Sequence, residues 1–270
     1  MRRAAPPPPP PPPTGPIVAR SSEKHHWERF WASAPDLADV YDTDGRIVAA
    51  LLRRVDPRAA RVLEVGAGTG RDSLELALRG AEVCVVDYSP GALHLIGSQP
   101  GAEALRRIRG DAFRLPFADA SFDVVFHQGL LEHFRNPLDL LRENARVLRP
   151  GGILAVDVPQ RWHYYTPLKH VLIAMDRWFA GWETEFDIGA LRRLVRASGL
   201  EPLDVYGTWC VPNLFYRVVR RVLLRRGLRL PLQPPLPVAG ALMARAREKL
   251  ASTPLPLYTG MNIGCLARKG

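Results

Sequence analysis

Between Arg61 and Pro159 the chain alternates short β-branched and apolar runs with amphipathic helical patterns, and this alternation constrains the fold more than any other feature. The runs are "RVLEV" (61–65), "EVCVVD" (82–87), "LRRIRGD" (105–111), "SFDVVFHQ" (121–128) and "ILAVDVP" (153–159). Strands this apolar are buried on both faces, and a parallel sheet acquires that cover from the helices that cross between its strands. Those helices are legible. "RDSLELALRG" stops at Gly80, "SPGALHLIG" has Ser89 placed to cap it and Pro90 at its first position, and "NPLDLLRENARVL" is halted by Pro150-Gly151-Gly152. The pattern predicts an open α/β domain, a class that binds ligands beyond the carboxyl ends of its strands.

Outside this stretch the texture changes. Residues 1–20 hold "AAPPPPPPPPTGP", which cannot enter helix or sheet and is read as a disordered proline-rich tail. The domain is expected over 21–270. Its N-terminal helical cap (21–55) carries Trp27, Phe30 and Trp31 on one stripe. After Pro159 come an aromatic segment (160–187), the helix "DIGALRRLVRASGL", a sixth strand in "EPLDVYGTW", a basic insert (211–257) and a last strand in "YTGMNIGCLARK".

A composition of 47% hydrophobic and 24% charged residues is that of a globular chain. Three widely spaced cysteines without a CxxC suggest neither a disulfide framework nor structural zinc, and fit a reducing compartment. Arg2 and Arg3 are followed by no apolar run, and no apolar stretch reaches about 18 residues. A cytoplasmic protein is expected. The net charge of +10 is concentrated: Leu191 to Gly270 holds fourteen Arg or Lys against Glu201, Asp204 and Glu248. Such a region suits an anionic partner (membrane, nucleic acid or acidic substrate), or is simply a solvated arginine-rich face.

The turn after the first strand reads Gly66-Ala67-Gly68-Thr69-Gly70-Arg71. A dinucleotide fingerprint would need a glycine where Arg71 stands, and a phosphate loop would need a lysine the turn lacks. Glycines still let backbone amides approach a ligand closely. Asp87 ends the second strand, where an acid can take both hydroxyls of a ribose. Asp111 ends the third, where a carboxylate can accept from an exocyclic amine. Acids in this order suit the nucleoside end of a ligand and leave no phosphate site, although each acid alone reads equally as a helix cap or a solvated loop residue.

Together, "LEVGAGTG", "VVDYSPGAL", "GDAFRLPFADASFDVVFHQGLLEH" and "RVLRPGGILAV" resemble the class I S-adenosylmethionine-dependent methyltransferases, strongly over 61–157 and more loosely after Asp187. The resemblance implies a Rossmann-like seven-stranded sheet, mostly parallel with an antiparallel last strand and helices on both faces. It implies S-adenosylmethionine as cofactor. Glu64 and the loop of Gly66, Ala67, Gly68 and Gly70 would seat the methionine portion, Asp87 the ribose, and Tyr88 would flank the adenine. Asp111 and Ala112 would read the adenine edge, with Gln128 and Gly129 near the sulfonium.

A hydroxyl acceptor must lose its proton, and His133 and Glu132 in the "LEH" stretch are the catalytic candidates. The alternative is that His133 caps a helix or orients the loop. Strand alternation turns one of His127 and Gln128 away from the site, and Gln128 is expected to face in. No metal is assigned. The stretch "HQGL" replaces the Asn/Asp-Pro-Pro-aromatic run of enzymes that methylate base amino groups, which argues against nucleic-acid bases. The acceptor is expected to be a small apolar or aromatic molecule methylated at oxygen. Its pocket is expected between the N-terminal helix and Trp162, His163, Tyr164, Tyr165, His170, Trp178 and Trp182. Alternatives are an RNA methyltransferase using the basic region, or a non-catalytic cofactor-binding partner subunit. In "NLFYRVVRRVLLRR" (213–226), Arg217, Arg220, Arg221 and Arg225 share one helix face, and Phe215, Val218, Val219, Val222 and Leu223 the other. That suits peripheral contact with an anionic membrane or a lid; a helix packed on the domain with its arginines in solvent is the alternative.

Overall fold

The computed structural model describes residues 24–32, 45–178, 180–209, 214–224, 226–231, 245–246, 249–251 and 253–270. The proline tract, Arg225 and much of the 211–257 insert lie outside the described residues.

Seven strands form one sheet in the order β3-β2-β1-β4-β5-β7-β6. They are β1 (Arg61–Val65), β2 (Glu82–Asp87), β3 (Leu105–Arg109), β4 (Phe122–Gln128), β5 (Leu148–Pro159), β6 (Leu200–Thr208) and β7 (Asn262–Lys269). Pairings of β1 with β2 and β4, of β2 with β3 and of β4 with β5 are parallel. Only β7 runs the other way, antiparallel to both β5 and β6, as expected of the last strand. Because β7 opposes both neighbours, the carboxyl end of β6 lies at the same sheet edge as that of β5.

Alternation along each strand sorts the core into two clusters. Leu63, Val65, Val86, Val125 and Leu154 pack under α5 (Pro137–Val147) and α7 (Ile188–Ala197), which supply Leu140, Leu141, Leu191 and Val195. Val62, Val85, Val124, Phe126 and Ile153 pack against Ile47 and Leu51 of α2 (Arg46–Leu52), Leu76 of α3 (Arg71–Leu78) and Ile96 of α4 (Pro90–Gly97). Both faces are therefore covered. Ser89 caps α4 by accepting the Ala92 amide, and Asp187 caps α7 by accepting the Ala190 amide at 2.7 Å.

Two expected boundaries are corrected. Pro150-Gly151-Gly152 does not precede β5 but lies inside it: Phe122 pairs with Leu148 and Val124 with Ile153, so the extra residues form an irregularity in the strand. The last strand starts at Asn262, since Pro256–Thr259 form a helical turn before it. A buried bidentate ion pair joins α2 to the carboxyl end of β5. Arg46 Nε donates to Asp157 Oδ2 at 3.0 Å and its Nη2 donates to Oδ1 at 2.9 Å, while Asn262 Nδ2 also donates to Oδ1.

Candidate active site

The turns after β1 to β4 converge on one cavity of about 290 Å³ at the carboxyl edge. Of the residues the sequence singled out, Glu64, Gly66, Ala67, Gly68, Asp87, Tyr88, Asp111, Ala112, Gln128, Gly129 and His133 all line it. Gly70 and Glu132 do not line it. Gly70 begins α3 and packs towards Ile96, and Glu132 is buried behind the wall, one carboxylate oxygen close behind Gly129.

The glycine turn is built by its own backbone. The Gly66 amide donates to the Val86 carbonyl at 2.8 Å, tying β1's exit to β2. Gly68 has φ of +53°, and a Cβ there would lie 3.0 Å from the Trp31 ring. Its amide donates to Asp87 Oδ2 at 3.0 Å, and the Ser89 amide donates to Oδ1 at 2.8 Å. Burial pushes the Asp87 carboxyl up, and these backbone amides oppose the shift. An ionised carboxylate has about four acceptor positions, so Asp87 keeps capacity for hydroxyls after taking two amides.

Below the glycine turn, Glu64 is buried and accepts the Ser73 hydroxyl at 2.5 Å. Burial and then the neighbouring Asp72 hold its carboxyl well above the usual range, against the Ser73 bond. Asp72 lines the cavity too, a residue the sequence reading missed. Its only signal was an acid in the first turn of the helix behind the glycines. A cationic ligand group beside two crowded acids would relieve their repulsion. At the opposite end Phe113 and Phe134, also missed, meet edge to face at 4.7 Å next to Ala112. The Arg109 guanidinium lies over the Tyr88 ring at 5.5 Å.

β4 ends as expected: Gln128 faces the cavity and its buried Oε1 has no hydrogen-bond partner among the described residues. His127 is fully buried, lines no part of the cavity, and burial pushes its ring down to about 3. His133 follows on a short turn, Leu131–His133. Its ring meets Trp27 of α1 (Lys24–Ala32) at 4.8 Å, and Nδ1 lies 3.4 Å from the Trp182 carbonyl. Burial lowers the His133 pKa; Glu183 and the carbonyls of Trp182 and Gly129 oppose that. Glu132 Oε1 stands 3.9 Å from His133 Nε2, and burial followed by Glu183 raises the Glu132 carboxyl well above its usual range. Among the described residues no group of three metal-ligating side chains gathers.

Trp27 and Trp31 line the cavity, as the N-terminal helix was expected to. None of the seven aromatic and histidine residues named in 160–187 does. Trp182 instead backs it, its carbonyl beside His133 Nδ1. The Thr184 amide donates to the Glu132 carbonyl at 2.8 Å, and the Arg135 guanidinium sits 4.8 Å over the Trp182 ring.

An orphaned acceptor at Gln128, a glycine turn closed over by Trp31, paired acids at one end and an aromatic slot at the other fit a nucleoside carrying a cationic amino-acid arm. Residues 63–156 match a family model described as a methyltransferase domain. A malonyl-[acyl-carrier protein] O-methyltransferase from Methylococcus capsulatus is 39% identical over 114 residues, covering 41% of this chain and 42% of that one. A demethylmenaquinone methyltransferase from a Mycobacterium species is 38% identical over 146 residues, 54% of this chain and 56% of that one. The chain thus spans about half the length of these curated relatives. A solved S-adenosylmethionine-dependent methyltransferase from Thermotoga maritima superposes with a TM-score of 0.61 at 18% identity, over 91% of this chain and 99% of that one. Likeness at that identity shows the fold.

Strand order and directions define a Rossmann-like domain. Residues 63–156 match the methyltransferase-domain model, and the sheet has the fold of a solved S-adenosylmethionine-dependent methyltransferase.

Proposed function

We propose that the protein transfers a methyl group from S-adenosylmethionine to a small apolar or aromatic acceptor, at oxygen. The observation that carries the reading is His133: a buried imidazole on the cavity wall, packed on Trp27, at the exit of β4 beside Gln128. When bound, the cofactor supplies an electrophilic methyl on sulfur. The chain's own residues then have three tasks.

Asp87, Glu64, Asp72 and the Gly66–Gly68 backbone would hold the donor, and Tyr88, Ala112, Phe113 and Phe134 would enclose its ring. Trp27 and Trp31 exclude water and confine the acceptor, and fixing two reactants in line is worth about 7–11 kcal/mol. His133 takes the acceptor proton. Burial keeps its ring neutral at rest, and the Trp182 and Gly129 carbonyls and Glu183 favour the imidazolium once the proton arrives. Glu132, behind the wall, positions this turn rather than touching the acceptor. The relative named an O-methyltransferase supports the choice of atom.

The test is methyl transfer from radiolabelled cofactor to a panel of apolar and aromatic hydroxyl compounds. A substrate should emerge, and His133→Ala should lower kcat about 100- to 10,000-fold with cofactor affinity retained. Turnover on amines but no hydroxyls, or an unimpaired His133→Ala, would contradict the reading.

A further inference from the structure

Two helices at the cavity edge are inside out. An ordinary surface helix turns its apolar stripe to the core and its charges to water. In α8 (Leu214–Leu224) the row Phe215, Val218 and Val222 is between 43% and 78% exposed, whereas Arg220 is buried. Arg220 Nε donates to the Leu230 carbonyl at 3.0 Å, and the Tyr216 hydroxyl donates to the Pro231 carbonyl at 2.8 Å. Those bonds hold Arg220 and Tyr216 on the side away from the exposed row.

α6 (Thr166–Ala174) repeats the arrangement. Leu168, Val171 and Met175, spaced as Phe215, Val218 and Val222 are, are at least half exposed. Buried Lys169 faces in, its Nζ 2.8 Å from Glu183 Oε2 and 2.9 Å from Glu185 Oε1. Trp178 Nε1 donates to the other Glu183 oxygen, completing the anchor.

Topology places both helices together with the cavity. α6 lies in the connection leaving the carboxyl end of β5, and α8 in the one leaving β6 and entering β7. Both connections meet the sheet at the edge where the cavity opens. The Gln160 side chain pins them to each other: Nε2 donates to the Leu257 carbonyl at 2.7 Å, and Oε1 accepts the Trp162 amide at 2.5 Å. Among the described residues, twelve of the fourteen exposed large hydrophobic side chains lie in these two connections.

We infer that this edge is a docking surface for an anionic lipid bilayer, which brings the cavity to an acceptor dissolved in the membrane. Charge selects the occupant. Residues 209–261 hold nine Arg or Lys against Glu248 alone, and although Arg220 is buried, Arg226, Arg229, Arg245 and Lys249 are exposed, the first two on either side of exposed Leu228. A second copy of the chain would set this positive charge against itself. A nucleic acid would satisfy the arginines and leave the two apolar rows in water. An anionic interface takes both, the rows entering the acyl boundary and the cations the headgroups.

The acceptor part of the inference rests on the proposed function; the docking part does not, and it is tested without cofactor. The full chain is sedimented with vesicles of phosphatidylglycerol and phosphatidylcholine, and with pure phosphatidylcholine, at low and high salt. It should bind the anionic vesicles and weaken with salt. Phe215→Ser/Val218→Ser/Val222→Ser and Leu168→Ser/Val171→Ser/Met175→Ser should each lower the bound-to-free ratio at least about tenfold. Leu78→Ser, exposed on α3, should not change it. Calorimetry of S-adenosylmethionine on each variant checks the fold and tests the methyltransferase reading separately. Vesicles with brominated acyl chains, which should quench wild-type tryptophan fluorescence, provide a measurement free of variants. The inference is overturned by absent binding to anionic vesicles, by both triple variants binding like wild type, or by a dimer or RNA complex that takes the surface without any vesicle binding.

Discussion

Asp87 Oδ2 accepts the backbone amide of Gly68 at 3.0 Å, so the carboxylate that would take the ribose also shapes the loop beside it. Loop and acid are one device, already assembled by the chain.

Gly68→Ala tests that device. The new methyl would meet Trp31 at 3.0 Å in a left-handed backbone that costs a side chain about 1–2 kcal/mol. Cofactor affinity should fall about tenfold, measured by calorimetry, with a comparably small loss of stability to urea.

Activity should depend on pH through His133. Burial places its folded pKa below the ordinary value of about 6.5, so the neutral base is present at pH 7 and is lost as pH falls. A profile of kcat/KM should therefore rise with pH to a plateau, with its inflection below about 6.5, and His133→Ala should abolish that limb. An inflection above pH 7 would contradict the assignment.

His127 predicts a different acid sensitivity, one of stability. Its folded pKa of about 3 lies below the unfolded value near 6.5, so the neutral ring stabilises fully above about 6.5 and progressively less as pH falls towards 3. By pH 5 the loss is about 2 kcal/mol. Neither ring nitrogen has a hydrogen-bond partner among the described residues. His127→Leu should remove this pH-dependent loss in urea titrations at pH 5 and 7.5 without lowering stability at 7.5 by more than about 1.5 kcal/mol.

Lys169→Met should be costly. It leaves Glu183 and Glu185 buried without their shared cation, and breaking such a pair from one side costs about 3–5 kcal/mol. Chemical denaturation reads the loss. Adding Glu183→Gln should recover part of it.

Much of this was legible because it is local. β1 and β2 begin and end where their apolar runs do, and Ser89 and Asp187 cap the helices they precede. The site acids were legible because strand ends converge at one edge of a parallel sheet. Asp72 escaped because an acid in a first helical turn is ordinarily a partner of the helix dipole. Pro150-Gly151-Gly152 reads locally as a stop, yet pairing of Leu148 and Ile153 with β4 carries the strand through it. The aromatic segment showed its rings but not their direction, and tertiary packing turned Trp178 and Trp182 to Glu183 and Arg135 rather than to the cavity. The inverted helices were hidden for the same reason: periodicity gives two faces and does not say which meets the core.

The central claim is met most directly by calorimetric titration of S-adenosylmethionine into the full chain and into Asp87→Ala. The wild type should bind at micromolar concentration, and the variant at least about 100-fold more weakly, since hydrogen bonds to a charged group contribute about 1.5–3 kcal/mol each. A wild type that does not bind, or an Asp87→Ala that binds within about twofold of it, would contradict the account.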